Sequence, residues 1–190
     1  MDGIPAFEAR EGYPYEVLPD GVYVADEPAV QDRFVARFPA SATRLVVCGG
    51  LFRLRGDAVA HGICATQWVD GSFVESKVDP ADVDVVSFID YDAFNALPLV
   101  SMEFAHMALN GREGTVPAYL CHTFSVLSCR PGDGYAVVFE RARVYWRKWL
   151  GQTFDKQNPA GEDQPRHDKG FVAMALGDAS RAPVISTARS

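Results

Sequence analysis

The sequence predicts an α/β fold, and three observations carry that expectation. Short apolar runs at 63–69, 83–89 and 118–128 have strand length and alternate with stretches of helical spacing. The run Val83-Asp84-Val85-Val86-Ser87-Phe88-Ile89 is nearly continuous, as in a strand buried on both faces. The composition, 48% hydrophobic and 23% charged over 190 residues, is that of an ordinary globular chain. A chain of this length can bury about 70% of its unfolded surface around one core.

Residues 1–28 are rich in proline, glycine and acidic side chains, which predicts an extended arm with a turn at Leu18-Pro19-Asp20-Gly21. Its aromatics, Phe7, Tyr13, Tyr15 and Tyr23, imply that the arm packs on the body. Pro28 can open a helix reaching Phe38, with Val30, Phe34 and Phe38 stacked four residues apart. Ser41 is the expected cap of a second helix ending near Ala60. Its apolar stripe reads Leu45, Cys48, Leu51, Phe52 and Val59, and Gly49-Gly50 interrupts it. Ile63 to Val69 reads as a strand, Asp70-Gly71-Ser72 as a turn and Val83 to Ile89 as the clearest strand. Helical spacing follows over 92–110, broken at Pro98, and then a strand over Ala118 to Ser128. Tyr135 to Leu150 is predicted to be an amphipathic helix burying Tyr135, Val138, Phe139, Ala142, Trp146 and Trp149, closed by Gly151. The expected organisation is thus an arm over 1–28, a domain over 29–151, and a remainder, 152–190, made of a polar loop, an edge strand at Phe171 to Leu176 and a loose tail.

Charge and cysteine content narrow the classes of function. Residues 1–92 carry 7 basic and 16 acidic side chains, whereas residues 93–190 carry 11 and 9. An acidic first half disfavours general DNA binding, whose affinity rests on phosphate contacts. It suits carboxylates that gather metal ions, with cations in the second half to receive phosphate, and equally a plain solvated acidic surface. Cys48, Cys64, Cys121 and Cys129 have no Cys-x-x-Cys spacing and sit in apolar surroundings, so they read as small buried hydrophobes of a reducing compartment. The four histidines are scattered and give no zinc spacing. No apolar stretch has bilayer length and no signal peptide is apparent, so a soluble, cytoplasmic protein without a membrane partner is expected.

One segment carries chemistry. Trp68-Val69-Asp70-Gly71-Ser72 is followed, after residues 73–81, by Asp82-Val83-Asp84-Val85. Side chains two apart on a strand share a face, so Asp82 and Asp84 project together while Val83 and Val85 point into the core. Two adjacent carboxylates beside an apolar strand repel each other unless a cation pairs them, and Mg²⁺ favours such oxygen ligands. The Gly-Ser turn can bring backbone N–H groups and a hydroxyl close to a phosphate.

This arrangement resembles the signature of the nucleotidyltransferase-fold, polymerase-beta-like superfamily. In that pattern an apolar residue, Gly, and Gly or Ser precede an Asp-apolar-Asp-apolar motif by about nine to thirteen residues. Val69, Gly71, Ser72, Asp82, Val83, Asp84 and Val85 fit it, and Asp70 departs from it by standing where an apolar residue is usual. The wider run Asp70-Gly71-Ser72-Phe73-Val74 with Lys77 and Pro80 is similar to small bacterial and phage nucleotidyltransferase-like proteins, as are Leu18-Pro19-Asp20-Gly21-Val22 and Tyr145-Trp146-Arg147-Lys148-Trp149.

The resemblance implies a short mixed sheet backed by helices and a metal-dependent transfer of a nucleoside monophosphate from a nucleoside triphosphate, ATP being the expected one, to a protein, RNA or small-molecule acceptor. Asp82 and Asp84 would hold Mg²⁺ or Mn²⁺; Gly71, Ser72 and Lys77 would hold phosphate. The way such relatives are deployed implies a toxin–antitoxin or phage-defence setting. Family members carry a third carboxylate on a later strand, but Ala118 to Ser128 contains no Asp or Glu. His122 or Thr123 occupies the matching place, with Glu103 and Asp133 as further substitutes; His122 is the expected catalytic partner of Asp82 and Asp84. Arg141, Arg143, Arg147 and Lys148 offer phosphate or partner contacts, or merely a solvated helix face. Three readings stand open: a nucleotidyltransferase, a module of that fold that binds nucleotide or protein without turnover, and an unrelated α/β domain.

Overall fold

The computed structural model describes residues 3–111, 117–129, 132–153 and 167–178. Its centre is a mixed five-stranded sheet of β1 (Val22–Val24), β2 (Ala65–Asp70), β3 (Val83–Asp90), β4 (Cys121–Ser128) and β5 (Phe171–Leu176), in the order β1-β5-β2-β3-β4. The β1–β5 and β3–β4 pairs are parallel; β5–β2 and β2–β3 are antiparallel. The helices are α1 (Glu27–Gln31), α2 (Arg44–Ala60), α3 (Tyr91–Asn95), α4 (Leu99–Ala108) and α5 (Ala136–Leu150).

The sheet separates two unequal cores by strand alternation. Val69, Val83, Val85, Ile89, Cys121, Val172 and Met174 face the larger core, which α2 completes with Val47, Cys48, Leu51, Leu54 and Ala58. Trp68, Val86, Phe88 and Ala173 face the other way, against Phe139, Trp146, Trp149 and Leu150 of α5. Trp68 is wholly buried there, its ring 4.6 Å from Phe88 and 4.9 Å from Phe171.

Phe171–Leu176 was expected at an edge, yet β5 lies between β1 and β2. Its near-continuous apolar run, buried at five of six positions, is the signature of an interior strand, so the last strand completes the same sheet as β2–β4. The N-terminal arm supplies the actual edge, β1, and packs on the body as expected: Phe7 meets Phe34 and Phe38 at 6.1 Å each, and Val17 bridges to Glu8 and Glu75.

Several helices depart from their expected form. The first is capped by Asp26, whose Oδ1 accepts from Ala29 N at 2.9 Å, and it passes into a π turn over Asp32–Ala36. Pro98, as expected, divides 92–110 into α3 and α4. The expected strand over Ala118 to Ser128 starts only at Cys121, after Leu120 takes a left-handed φ of 55°. The polar loop and the tail expected after Gly151 fall largely on 154–166 and 179–190, outside the described residues.

The stripe expected for α2 is rotated: Leu45 and Val59 are exposed, and Arg44 is completely buried. Helical spacing among apolar residues was read without a cation as a core residue. Arg44 stands at the start of the helix, where Ser41 Oγ accepts from its backbone N–H at 3.1 Å and Asp79 Oδ1 accepts from Ala42 N at 2.7 Å. Gly50 is required by contact: a Cβ there would lie 1.9 Å from the Tyr119 carbonyl oxygen, so the glycine that weakens the helix locally also lets it approach the chain entering β4.

The Arg44 guanidinium uses its whole donor fork on backbone carbonyls. Nη1 donates to Phe34 O (2.9 Å) and Phe73 O (2.7 Å), Nη2 to Glu75 O (2.5 Å) and Lys77 O (2.6 Å), and Nε to Lys77 O (3.2 Å). It lies 3.7 Å over the Phe38 ring. Burial lowers its pKa to about 10, still far above neutrality. A lysine has three donors on one nitrogen and cannot span four carbonyls. Arg44→Lys is therefore expected to lower unfolding free energy by about 3 kcal/mol in urea titration, the cost of leaving buried carbonyls unmet. A loss under about 0.5 kcal/mol would mean that water replaces the fork without penalty.

Candidate functional site

At one end of the central strands the register sets three polar residues in a row. Asp70 on β2 faces Asp84 on β3, and Asp84 faces His122 on β4. They share the sheet face that carries Trp68, Val86 and Phe124 on the next rung. Within the Asp-apolar-Asp pattern, Val83 and Val85 are buried in the larger core and Asp84 lies on the opposite face, whereas Asp82 stands before the strand begins.

Asp84 bridges the turn and β4. Its Oδ1 lies 3.1 Å from His122 Nδ1, and its Oδ2 points toward Gly71. Gly71 has φ +82°, and a Cβ there would stand 2.5 Å from that oxygen. The position therefore excludes a side chain twice, by backbone conformation and by the carboxylate. Ser72 opens the short 3₁₀ turn Ser72–Val74 immediately after it. Asp82 sits just ahead of β3, half-buried. Burial pushes the Cys121 thiol up to about 12, and the charges of Asp82 and Asp84 add to the shift.

The other expected site residues are distributed differently. Lys77 contributes its carbonyl to Arg44, a backbone role the sequence did not indicate. Thr123 is buried on the opposite face from His122, bonded to Gly111 O at 3.1 Å, and so is turned away from Asp84. Glu103 is exposed on α4. Asp133 precedes α5, and its charge acts on Cys129, beyond the far end of β4 from His122. Of the four substitutes for a third carboxylate, His122 is the one beside Asp84.

Behind the turn lies a buried charge cluster. Lys169, just before β5, places Nζ 2.6 Å from Glu75 Oε1 and 3.0 Å from Asp70 Oδ1; the second contact is an ion pair that lacks hydrogen-bond alignment. Tyr13 of the arm donates to Glu75 Oε2 at 2.9 Å. One ammonium thus holds the residues flanking the turn, and an arm hydroxyl completes the set. Burial pushes Asp70 up to about 7; Lys169 opposes that shift, while Glu75 and Asp84 add to it. Burial works against the Lys169 charge, but its two carboxylates hold the ammonium above its ordinary range. Lys169 was not singled out from sequence, because nothing nearby in the chain marks a lysine at the head of an apolar strand as a partner of Asp70 and Glu75. The Asp at position 70, where the resembling pattern has an apolar residue, was the available signal.

Among the described residues, no group of three or more His, Cys, Asp or Glu side chains is gathered so as to hold a metal ion. Asp84, beside a turn kept open by a glycine, offers hard carboxylate oxygen, the donor type Mg²⁺ favours, and Asp82 stands two residues ahead of it, just before β3. Phe124 continues the row as an aromatic surface, 4.5 Å from the His122 ring and 4.4 Å from Trp146, with Trp149 at 6.0 Å.

Over residues 11–175 the chain matches a family of unknown function, DUF6932, and it belongs to that family. No curated protein and no solved structure matches it.

The charge cluster makes two outcomes testable by urea unfolding. Lys169→Met leaves the buried Glu75 carboxylate without its cation and is expected to cost about 3–5 kcal/mol at pH 7. Asp70 binds its proton more tightly in the folded chain than in the unfolded one, so its contribution is fully present below the ordinary 3.8 and is lost as pH rises through about 7. Asp70→Asn leaves Lys169 paired with Glu75 and should flatten the decline of stability between those two pH values. Parallel profiles for the variant and the native chain would show that Asp70 titrates alike in both states.

Proposed function

We propose that this member of the DUF6932 family binds a nucleoside triphosphate at the Gly71–Ser72 turn and transfers its nucleoside monophosphate to an acceptor hydroxyl, breaking the α–β phosphoanhydride bond and releasing pyrophosphate, in a nucleotidyltransferase-like fold. The observation that carries the reading is the divided Asp84 carboxylate, with one oxygen on His122 and the other turned to the glycine. The resemblance of the Gly71-Ser72 and Asp82-Val83-Asp84 segments supports it, and so does a register that sets the β4 histidine directly beside Asp84.

In this reading Ser72 and the backbone at Gly71 receive phosphate oxygens without side-chain interference. Asp82 and Asp84 would hold Mg²⁺ or Mn²⁺, which supplies neutralisation of triphosphate charge when bound. Asp84 Oδ1, accepting from His122 Nδ1–H, fixes the tautomer that leaves Nε2 free to take a proton from the acceptor hydroxyl. His122 thereby stands where relatives of this pattern use a carboxylate. The aromatic surface of Phe124, Trp146 and Trp149 offers a stacking face for the base. Lys77 reaches a phosphate as a point charge while its carbonyl remains on Arg44. ATP is the expected nucleotide, with a protein, RNA or small-molecule acceptor in the cytoplasm and a toxin–antitoxin or phage-defence setting.

A second reading has its own observation. With no acidic residue on β4 and no three-ligand group among the described residues, the same site can bind nucleotide or a partner protein without turnover.

Calorimetry with each nucleoside triphosphate and Mg²⁺ or Mn²⁺, followed by transfer of labelled nucleotide, separates the two. Metal-dependent binding is expected, lost at least about tenfold in a folded Asp84→Asn chain. His122→Ala is expected to retain binding within a few-fold and lose transfer by about 10²–10⁴. Binding without transfer in the native chain supports the second reading, and no nucleotide binding at all removes the first and leaves only the partner-protein form of the second.

A further inference from the structure

The N-terminal arm and the Gly71–Ser72 turn form one hydrogen-bonded unit. The two limbs of the arm pair through Glu8 N donating to Val17 O at 2.8 Å and Val17 N donating to Glu8 O at 3.0 Å. Val17 also bridges antiparallel to Glu75. Beside it, Ser76 N donates to Glu16 O at 2.8 Å and Glu16 N to Ser76 Oγ at 2.7 Å. Tyr13 lies between the limbs, and its hydroxyl donates to Glu75 Oε2 at 2.9 Å.

Each polar group of Glu75, which is buried, is committed to a different segment. Oε2 accepts from the arm and Oε1 from Lys169 Nζ, just before β5. The amide donates to Ser72 O at 3.4 Å and so closes the 3₁₀ turn, while the carbonyl accepts from Arg44 of α2. The carboxylate therefore cannot shift to replace a lost partner without moving the backbone that ends the turn. The arm has other means of staying on the body: Phe7 packs on Phe34 and Phe38, and Ile4 lies against the larger core. A buried ionic cluster adds little stability over apolar side chains of similar volume, although removing one partner from it is costly. What the Tyr13 hydroxyl supplies is a fixed place for Glu75. Burial, reinforced by Glu75 and Asp70, holds that hydroxyl above the ordinary tyrosine range, so it remains a donor at neutral pH.

We infer, on the nucleotide site proposed above, that Tyr13 is a positioning residue: through Glu75 it ties the seated arm to the phosphate-binding turn, so that arm docking and nucleotide binding strengthen each other. Such coupling is reciprocal and can be read from either end. Calorimetric titration of the full chain with ATP and Mg²⁺ is expected to show Tyr13→Phe binding about fivefold more weakly than the native chain. Tyr15→Phe takes a hydroxyl from the same arm, leaves the bond to Glu75 in place, and should bind within about 1.5-fold of the native chain. Circular dichroism at the working temperature establishes that all three chains are folded. The opposite end is read by trypsin cleavage after Arg10, which requires local opening of the arm. Saturating ATP with Mg²⁺ should slow that cleavage about fivefold in the native and Tyr15→Phe chains and leave it unchanged in Tyr13→Phe. A hydroxyl that only stabilises the fold changes neither the affinity of a folded chain nor the protection that nucleotide gives the arm. If the native chain binds no ATP, the nucleotide site falls and the coupling with it. Binding that Tyr13→Phe matches within about 1.5-fold, or that leaves cleavage of the native arm unchanged, overturns the coupling alone and keeps the site. Should Tyr13→Phe fail to fold, cleavage of the native chain with and without ATP decides.

Discussion

The turn between β2 and β3 depends on a buried cation whose hydrogen bonds go to backbone carbonyls. Arg44 places five hydrogen bonds on the carbonyls of Phe34, Phe73, Glu75 and Lys77. Those carbonyls belong to three stretches far apart in sequence or function: the π turn after α1, the 3₁₀ turn after Gly71, and the loop leading to β3. Backbone carbonyls buried without donors are costly, and a planar fork can satisfy several at once from a single rigid group. Removing the fork would release α1, the start of α2 and the Gly71–Ser72 turn together. The geometry at Asp84 is thus supported from the opposite side of the sheet.

The sheet makes the site possible by having two unlike faces. The face toward α2 is mostly apolar, broken by a buried polar chain in which Arg55 of α2 donates to Gln67 and Gln67 to Ser87, and by Thr123, bonded to Gly111 O. The face toward α5 is apolar from Trp68 onward and becomes polar at the rung of Asp70, Asp84 and His122. Charges at that border feel a lower dielectric than at the surface, so each needs a partner. Lys169 answers Asp70 and Glu75, and His122 answers Asp84. The cluster behind the turn and the row in front of it meet at Asp70, whose carboxyl feels both Lys169 and Asp84. On the same face, α5 has a sheet-facing aromatic side and an outward valine–tyrosine side.

How far the site was legible can be followed residue by residue. Asp84 and its place opposite the core-facing valines follow from strand alternation alone. That His122 lies beside Asp84 required the β3–β4 register, which single-sequence periodicity does not contain; the resemblance narrowed the choice to His122 or Thr123, and the pleat separates them onto opposite faces. Lys169 was invisible, since its partners lie about a hundred residues earlier in the chain. The helix stripes misled for a related reason. Apolar spacing reports which residues prefer burial, but Arg44 is buried for its hydrogen bonds, and Tyr135 and Val138 are exposed because α5 has the sheet on one side only.

The sequence by itself determined the alternation of strands and helices, the Gly-Ser turn, the place of Asp84 opposite the core-facing valines and the strength of the β3 strand. Each of these rests on local preference: side-chain periodicity, proline and glycine geometry, and the facing of residues two apart. Tertiary structure alone decided that β5 is interior, that Arg44 is the hub of the turn, that Lys169 neutralises the acids behind it, and that one oxygen of Asp84 belongs to His122. All four are contacts between segments distant in the chain, where strand order and register decide which charges meet, and no local propensity encodes that order.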